Sequence, residues 1–276
     1  LDIELRSFFE MLADRCDQVG SSLCIGLDPD PLRIPRYLGS GPEAIYKFCA
    51  EIIEATADLA SAFKPNAAFF ESIGVEGLHV LDQVLRLVPP EVPVILDVKR
   101  GDVGSTAKHY ARAAFERMRV GAVTVNPYMG FDAVEPFMEF EGRAVYVLCL
   151  TSNRGALDFQ LQEDLYLRVA RRVGEWNHMG NLGMVVGATR PQFLSSILAI
   201  SPDVPLLIPG LGAQGGDLEQ IMEAAPGLPP HHLLFNVSRS ILYAASDKSF
   251  GHQARVAARQ YSKLIADARE KVARAP

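Results

Sequence analysis

Residues 94–106 read VILDVKRGDVGST, an apolar run that turns into two acids and two bases. Charged side chains at the end of a buried strand are costly unless they are paired or used. On an extended strand Asp97 and Lys99, two residues apart, project to the same side. Asp102 follows on a loop with Gly101 and Gly104, ahead of Ser105 or Thr106 as the cap of a helix. This spacing predicts a carboxylate on either side of Lys99, an environment that favours the ammonium form. A Schiff-base lysine has to be neutral and commonly sits in an apolar pocket or beside another cation. A lysine kept as ammonium suits a different task, stabilising negative charge and delivering a proton to carbon or oxygen. The plain alternative for these residues is a structural ion-pair network.

Other stretches can join that chemistry. Lys64, in AFKPN, ends an apolar approach and can pair with Asp97 or with Asp28 of GLDPD, giving an alternating Lys-Asp array; Asp30 reads as the acid of a turn. PGLGAQGGD, residues 209–217, holds four glycines, so its backbone N–H groups can approach an anion, and Gln214 in mid-loop can bridge phosphate and base. Arg239, in NVSRS at the start of a helical region, offers a guanidinium that binds phosphate through two parallel hydrogen bonds. The six histidines show neither H-x-H nor H-E-x-x-H spacing, so no metal site is expected.

The elements that must position these residues alternate along the whole chain. β-type runs fall at Ser22–Leu27, Ala62–Lys64, Val94–Asp97, Ala122–Val125, Ala144–Leu150, Leu182–Val186, Leu206–Ile208 and Leu233–Asn236. Helical spacing falls between them, at Ala44–Ala57, Val75–Val88, Ser105–Arg119, Phe131–Phe140, Asp164–His178, Pro191–Ile200, Asp217–Ala224 and Gln253–Val272. Strands apolar on both faces and separated by helices predict a parallel sheet. Eight such units predict an α/β fold of the (β/α)₈ TIM-barrel type, one domain over residues 1–276 with a short N-terminal helix. A doubly wound open sheet of the same elements is the alternative. Barrel sites lie where strands end, and the candidate residues fall there: Asp28, Lys64 and Asn66, Asp97 and Lys99, Asn126, Thr151 to Asn153, the glycine-rich loop and Arg239. The segments leading into strands, PPEVP, SPDVP and GLPPHH, are chemically plain; they belong to the stability face.

The totals narrow the function class. A 276-residue chain that is 49% hydrophobic can bury a large core, and a net charge of −6 without runs of like charge gives no general affinity for nucleic acid or an anionic membrane. Four scattered cysteines without a C-x-x-C pair read as reduced core residues of a cytoplasmic protein. The N-terminal stretch lacks the basic and apolar regions of a secretory signal, and no apolar run reaches the roughly 18 residues of a membrane span.

Taken together, DVKRGDVGSTA, with GLDPD, FKPN, TSN, PGLGAQGG and NVSR in that order, resembles the orotidine 5′-phosphate decarboxylase family, in the form of its longer bacterial subfamily. The resemblance implies a cofactor-free and metal-free barrel enzyme of pyrimidine synthesis that converts orotidine 5′-monophosphate to UMP and CO₂. It implies Lys99 as proton donor to C6, Asp97 beside the substrate carboxylate, and Lys64 and Asp102 completing the charged array. It further implies Asp28 on the ribose hydroxyls, Ser152 on the pyrimidine, and Gln214 and Arg239 on the phosphate. Asp102 and Thr106 are expected to reach the site of a neighbouring subunit, which implies a homodimer. Related barrels with the same Asp-x-Lys-x-x-Asp pattern act on sugar phosphates with Mg²⁺, and a non-catalytic nucleotide-phosphate binder is the reading from another class. Lys64 and the Asp-Val-Lys-Arg-Gly-Asp form argue against the first, and the joint presence of Lys64, Asp97, Lys99 and Asp102 argues against the second.

Overall fold

The structure is a computed structural model that describes residues 6–212 and 217–274. Helix α1 (Phe8–Val19) precedes β1 (Leu23–Leu27), α2 (Gly41–Thr56), β2 (Ala62–Pro65), α3 (Ala67–Glu71), α4 (Val75–Leu87), β3 (Ile95–Arg100) and α5 (Gly104–Arg112). There follow β4 (Ala122–Val125), α6 (Glu135–Met138), β5 (Ala144–Leu150), α7 (Leu165–Trp176), β6 (Leu182–Val186) and α8 (Leu194–Ile200). The chain finishes with β7 (Leu206–Pro209), α9 (Leu218–Ala224), β8 (Leu233–Val237), α10 (Arg239–Leu242) and α11 (Phe250–Ala273).

The strands pair in parallel in the order β2-β1-β8-β7-β6-β5-β4-β3. Bridges from Phe63 to Val94 and from Asn66 to Asp97 bring the two outer strands together. The sheet therefore closes as the expected barrel, and the open-sheet alternative falls away.

Expected and observed elements differ where local chemistry intervenes. The helical pattern over Phe131–Phe140 breaks into a single turn at Phe131–Ala133 and α6, because Pro136 lacks an N–H and is accommodated only in a first helical turn. After β2 the chain forms two helices, with Gly74 at φ 77 making the bend between them. Neither Ser105 nor Thr106 caps α5: Val103 occupies the cap position and no side chain closes it. Trp176, half-buried, packs with Phe131 against the core, ring centroids 5.2 Å apart.

Two apolar clusters follow from the alternation of side chains. The larger fills the space between strands and helices. The smaller lies inside the barrel, where Cys24, Ala62, Ile95, Ala122, Ala144, Tyr146 and Leu234 meet Phe8, Leu12 and Cys16 of α1. Helix α1 starts with a reciprocal cap between Ser7 and Glu10 and ends on Gly20 in the left-handed region. Its Phe8 and Phe9 rings stand edge-on to Tyr146, centroids 6.2 and 5.8 Å away. Gly183 admits the Tyr146 ring, since a Cβ there would lie 2.6 Å from it. Thus α1 closes the end of the barrel where the strands begin. Among the described residues no helix is long and apolar enough to cross a membrane.

Candidate active site

The opposite end, where the strands finish, holds a cavity of about 360 Å³ lined by Asp28, Lys64, Asp97, Lys99, Thr151, Ser152 and Arg239, among others. Its floor is an array of charges. Lys64 Nζ donates to Asp97 Oδ2 at 2.7 Å, and Lys99 Nζ to Asp97 Oδ1 at 2.5 Å. Thr124 Oγ1 donates to the same Oδ1 at 2.9 Å. Lys64 and Asp97 are buried, whereas the Lys99 side chain is 50% exposed at the mouth.

Burial opposes the charge on Asp97, but the ammonium groups of Lys64 and Lys99 outweigh it and hold the carboxyl well below the usual range. Burial likewise opposes the charge on Lys64, and the carboxylates of Asp97 and Asp28 outweigh it, raising the lysine above its ordinary value. The buried pair is ionised across the neutral range.

The sequence brings Asp97 and Lys99 together, though by a different route from simple alternation. Leu96 stands opposite Val123 and Arg100 opposite Val125, so three residues of β3 face one of β4. Lys99 takes φ 44, in the left-handed region that residues with a Cβ disfavour. This bulge, and not an unbroken strand, turns the Lys99 side chain back onto Asp97.

Asp28 is held from two sides. Ser238 Oγ donates to its Oδ2 at 2.5 Å, and Tyr243 OH donates to its carbonyl at 2.7 Å while accepting from the Asp30 N–H at 2.6 Å. Its Oδ1 is buried with no partner among the described residues, an acceptor suited to a ligand hydroxyl. Asp30 makes the expected turn, accepting from the Leu32 N–H at 2.9 Å. Ser152 is fixed by close packing: a Cβ on Gly187 would lie 2.7 Å from its nitrogen, and Thr189 Oγ1 donates to its carbonyl at 3.2 Å. Arg239 opens α10 at the rim, exposed and without an ion pair among the described residues.

Two expected members stand elsewhere. Asp102 does not flank Lys99 or line the cavity; its Oδ1 accepts from the Val103 N–H at 2.8 Å. Among the described residues Lys99 therefore has one carboxylate within ion-pair distance, Asp97. Thr106 is exposed on α5 and does not line the cavity. Gln214 lies outside the described residues, with the rest of 213–216 in the glycine-rich loop. Asn126 spends its side chain on the Tyr128 N–H at 3.0 Å rather than on the cavity. Conversely, Thr124 and Asn236 line the cavity unforeseen. Each sits two residues beyond an inward apolar residue, Ala122 or Leu234, and that spacing was the available signal.

Fold and site together define a (β/α)₈-barrel enzyme with a lysine–aspartate array at the mouth. Residues 21–254 match the Orotidine 5′-phosphate decarboxylase / HUMPS family. The orotidine 5′-phosphate decarboxylase of Roseiflexus sp. (strain RS-1) is 49% identical over 244 residues, 86% of this chain and 89% of that protein. The structure of the Leishmania donovani OMP decarboxylase superposes with a TM-score of 0.84 at 40% identity, covering 96% of this chain and 99% of that one. The L. donovani UMP synthase structure gives a TM-score of 0.86 at 42% identity over 96% of this chain, which spans 57% of that longer one. The chain belongs to the orotidine 5′-phosphate decarboxylase family, and within it to the decarboxylases, which are carboxy-lyases.

Proposed function

We propose that the chain converts orotidine 5′-monophosphate to UMP and CO₂ in pyrimidine synthesis, without metal or organic cofactor, and that Lys99 is the acid that protonates C6. The observation carrying this reading is the Lys99 ammonium, anchored by Asp97 yet half-exposed at the cavity mouth. Breaking the bond from C6 to the carboxyl group leaves its electron pair on C6, where the ring delocalises it poorly. A preorganised cation stabilises that charge and then gives up an N–H proton to form the C6–H bond. Lysine regains the proton from solvent. Asp97 faces the departing carboxylate, and its own charge is already balanced by two ammonium groups and a hydroxyl, which supports a reaction without a metal.

The rest of the cavity suits a nucleotide. Arg239 takes the phosphate together with Gln214, the orphan Oδ1 of Asp28 accepts from the ribose, and Ser152 meets the pyrimidine. Asp102 and Thr106 complete the site of a second copy in a homodimer. Exposed Val103 and Tyr110, at and on α5, and Tyr128 and Met129, in the turn after β4, supply apolar surface for such a contact. The reaction belongs to the cytoplasm, where the four unpaired buried cysteines remain thiols.

The test is the absorbance change of orotidine 5′-monophosphate in buffer with EDTA, for the wild type and for Lys99→Ala. Wild type decarboxylates; the variant loses about 10⁴-fold or more in kcat while still binding UMP. Activity abolished by EDTA and restored by Mg²⁺ sinks the metal-free reading, and an active Lys99→Ala sinks the assignment of the acid. Mixing inactive Lys99→Ala with inactive Asp102→Ala restores turnover if the site is shared between subunits; no restoration refutes sharing.

A further inference from the structure

The bulge in β3 has a cost that something must offset. Where three residues face one, backbone N–H groups lose their ladder partners, and a buried donor left unpaired is destabilising. Here both orphaned donors, the N–H groups of Val98 and Lys99, point to one atom, Thr124 Oγ1, at 3.1 and 2.9 Å. A hydroxyl carries one proton and two lone pairs. With both lone pairs taken, its proton has one remaining direction, and Asp97 Oδ1 lies there at 2.9 Å. That same oxygen accepts the Lys99 ammonium.

We propose that Thr124 is the positioning residue of this active site, one buried hydroxyl that sets the place of both Asp97 and Lys99. The inference rests on the reading of these two residues as the reacting pair. All three hydrogen bonds of the Thr124 hydroxyl go to residues 97–99, so it acts through Asp97 and Lys99. Two backbone bonds keep Lys99 in the left-handed region at φ 44, and the third bond fixes the carboxylate rotamer that receives Nζ. Nothing in the sequence around Lys99 specifies this conformation, since neither Val98 nor Lys99 favours positive φ. The hydroxyl that stabilises it comes from the adjacent strand, at the single β4 position that faces the bulge.

The test compares Thr124→Val, which keeps the branched shape and removes the hydroxyl, with Thr124→Ser, which keeps the hydroxyl. Thr124→Val is expected to lose about 100-fold in kcat, the scale of a displacement near 1 Å at a reacting group. Its affinity for UMP stays close to wild type, and Thr124→Ser restores turnover. A crystal structure of the valine variant shows Lys99 relaxed to negative φ and its ammonium displaced from Asp97. Should the valine variant fail to fold, Thr124→Cys takes its place, with similar volume and a weak donor and acceptor, and a clear loss of kcat is again expected. Wild-type kcat in a folded Val or Cys variant, a serine variant as poor as valine, or an unmoved Lys99 in the crystal overturns the proposal. If the wild type itself fails to decarboxylate the nucleotide, the proposed reaction falls, and the crystallographic comparison still decides the role of Thr124.

Discussion

The two ends of the barrel are built from the same strands and do opposite things. On β2, β3, β4 and β8 the inward residues near the start are Ala62, Ile95, Ala122 and Leu234, packed under α1. Two residues further along the same faces stand Lys64, Asp97, Thr124 and Asn236, which line the cavity. A single period of the strand converts core into site. The apolar end needs only volume to be filled, so a helix can close it. The polar end needs a partner for every charge, and Lys64, Lys99 and Thr124 supply three donors to one carboxylate. Stability and chemistry are thereby separated along the barrel axis.

Substitutions at each end can break or sharpen that separation. The largest effect is expected from Phe8→Ala, which empties the plug beside Tyr146 and costs about 3–5 kcal/mol of stability. Denaturant titration measures the loss, while kcat per folded molecule stays at the wild-type value; a fall in kcat would show that the plug also shapes the site. Arg239→Ala at the mouth is expected to do the reverse. Losing a charge-assisted contact worth about 1.5–3 kcal/mol raises KM by roughly tenfold to a hundredfold, with the denaturation midpoint unchanged. Steady-state kinetics beside thermal melting separates the two quantities.

The smallest effect is in the pH dependence of stability. Asp97 has its folded pKa depressed, so its contribution is present above the unfolded value near 4 and disappears as pH falls below it. Lys64 has its folded pKa raised, so its contribution is present below about 10.4 and disappears as pH climbs toward the folded value. The pair therefore adds no slope between about pH 5 and pH 9. Denaturation across that window is expected to show none from this pair, and the acid loss of stability below it is expected to shrink in Asp97→Asn. An equal acid loss in that variant would mean that other carboxylates dominate.

Much of this was legible along the chain. Ala122–Val125, Ala144–Leu150 and Leu182–Val186 form the strands expected at those bounds, because fully buried strands carry continuous apolar runs. Asp28, Lys64, Asp97, Lys99, Ser152 and Arg239 lie on the cavity because a residue's place at a strand end is a local property. The placement of Asp102 was not legible in one chain, since what it faces depends on the path of a loop. Thr124 was hidden inside a four-residue apolar strand, polar at one inward position.

The sequence by itself determined the alternation of strands and helices, the end of the barrel that carries charge, and the identities of the lysines and aspartates there, since periodicity and charge are properties of neighbours in the chain. Only the tertiary structure decided how they meet. The register of β3 against β4 creates the bulge, and the bulge directs Lys99 onto Asp97. Its stability comes from Thr124, 25 residues away along the chain from Lys99 and 2.9 Å away in space. Such a contact depends on which strands lie side by side, and pairing between strands is settled by the closing of the whole barrel.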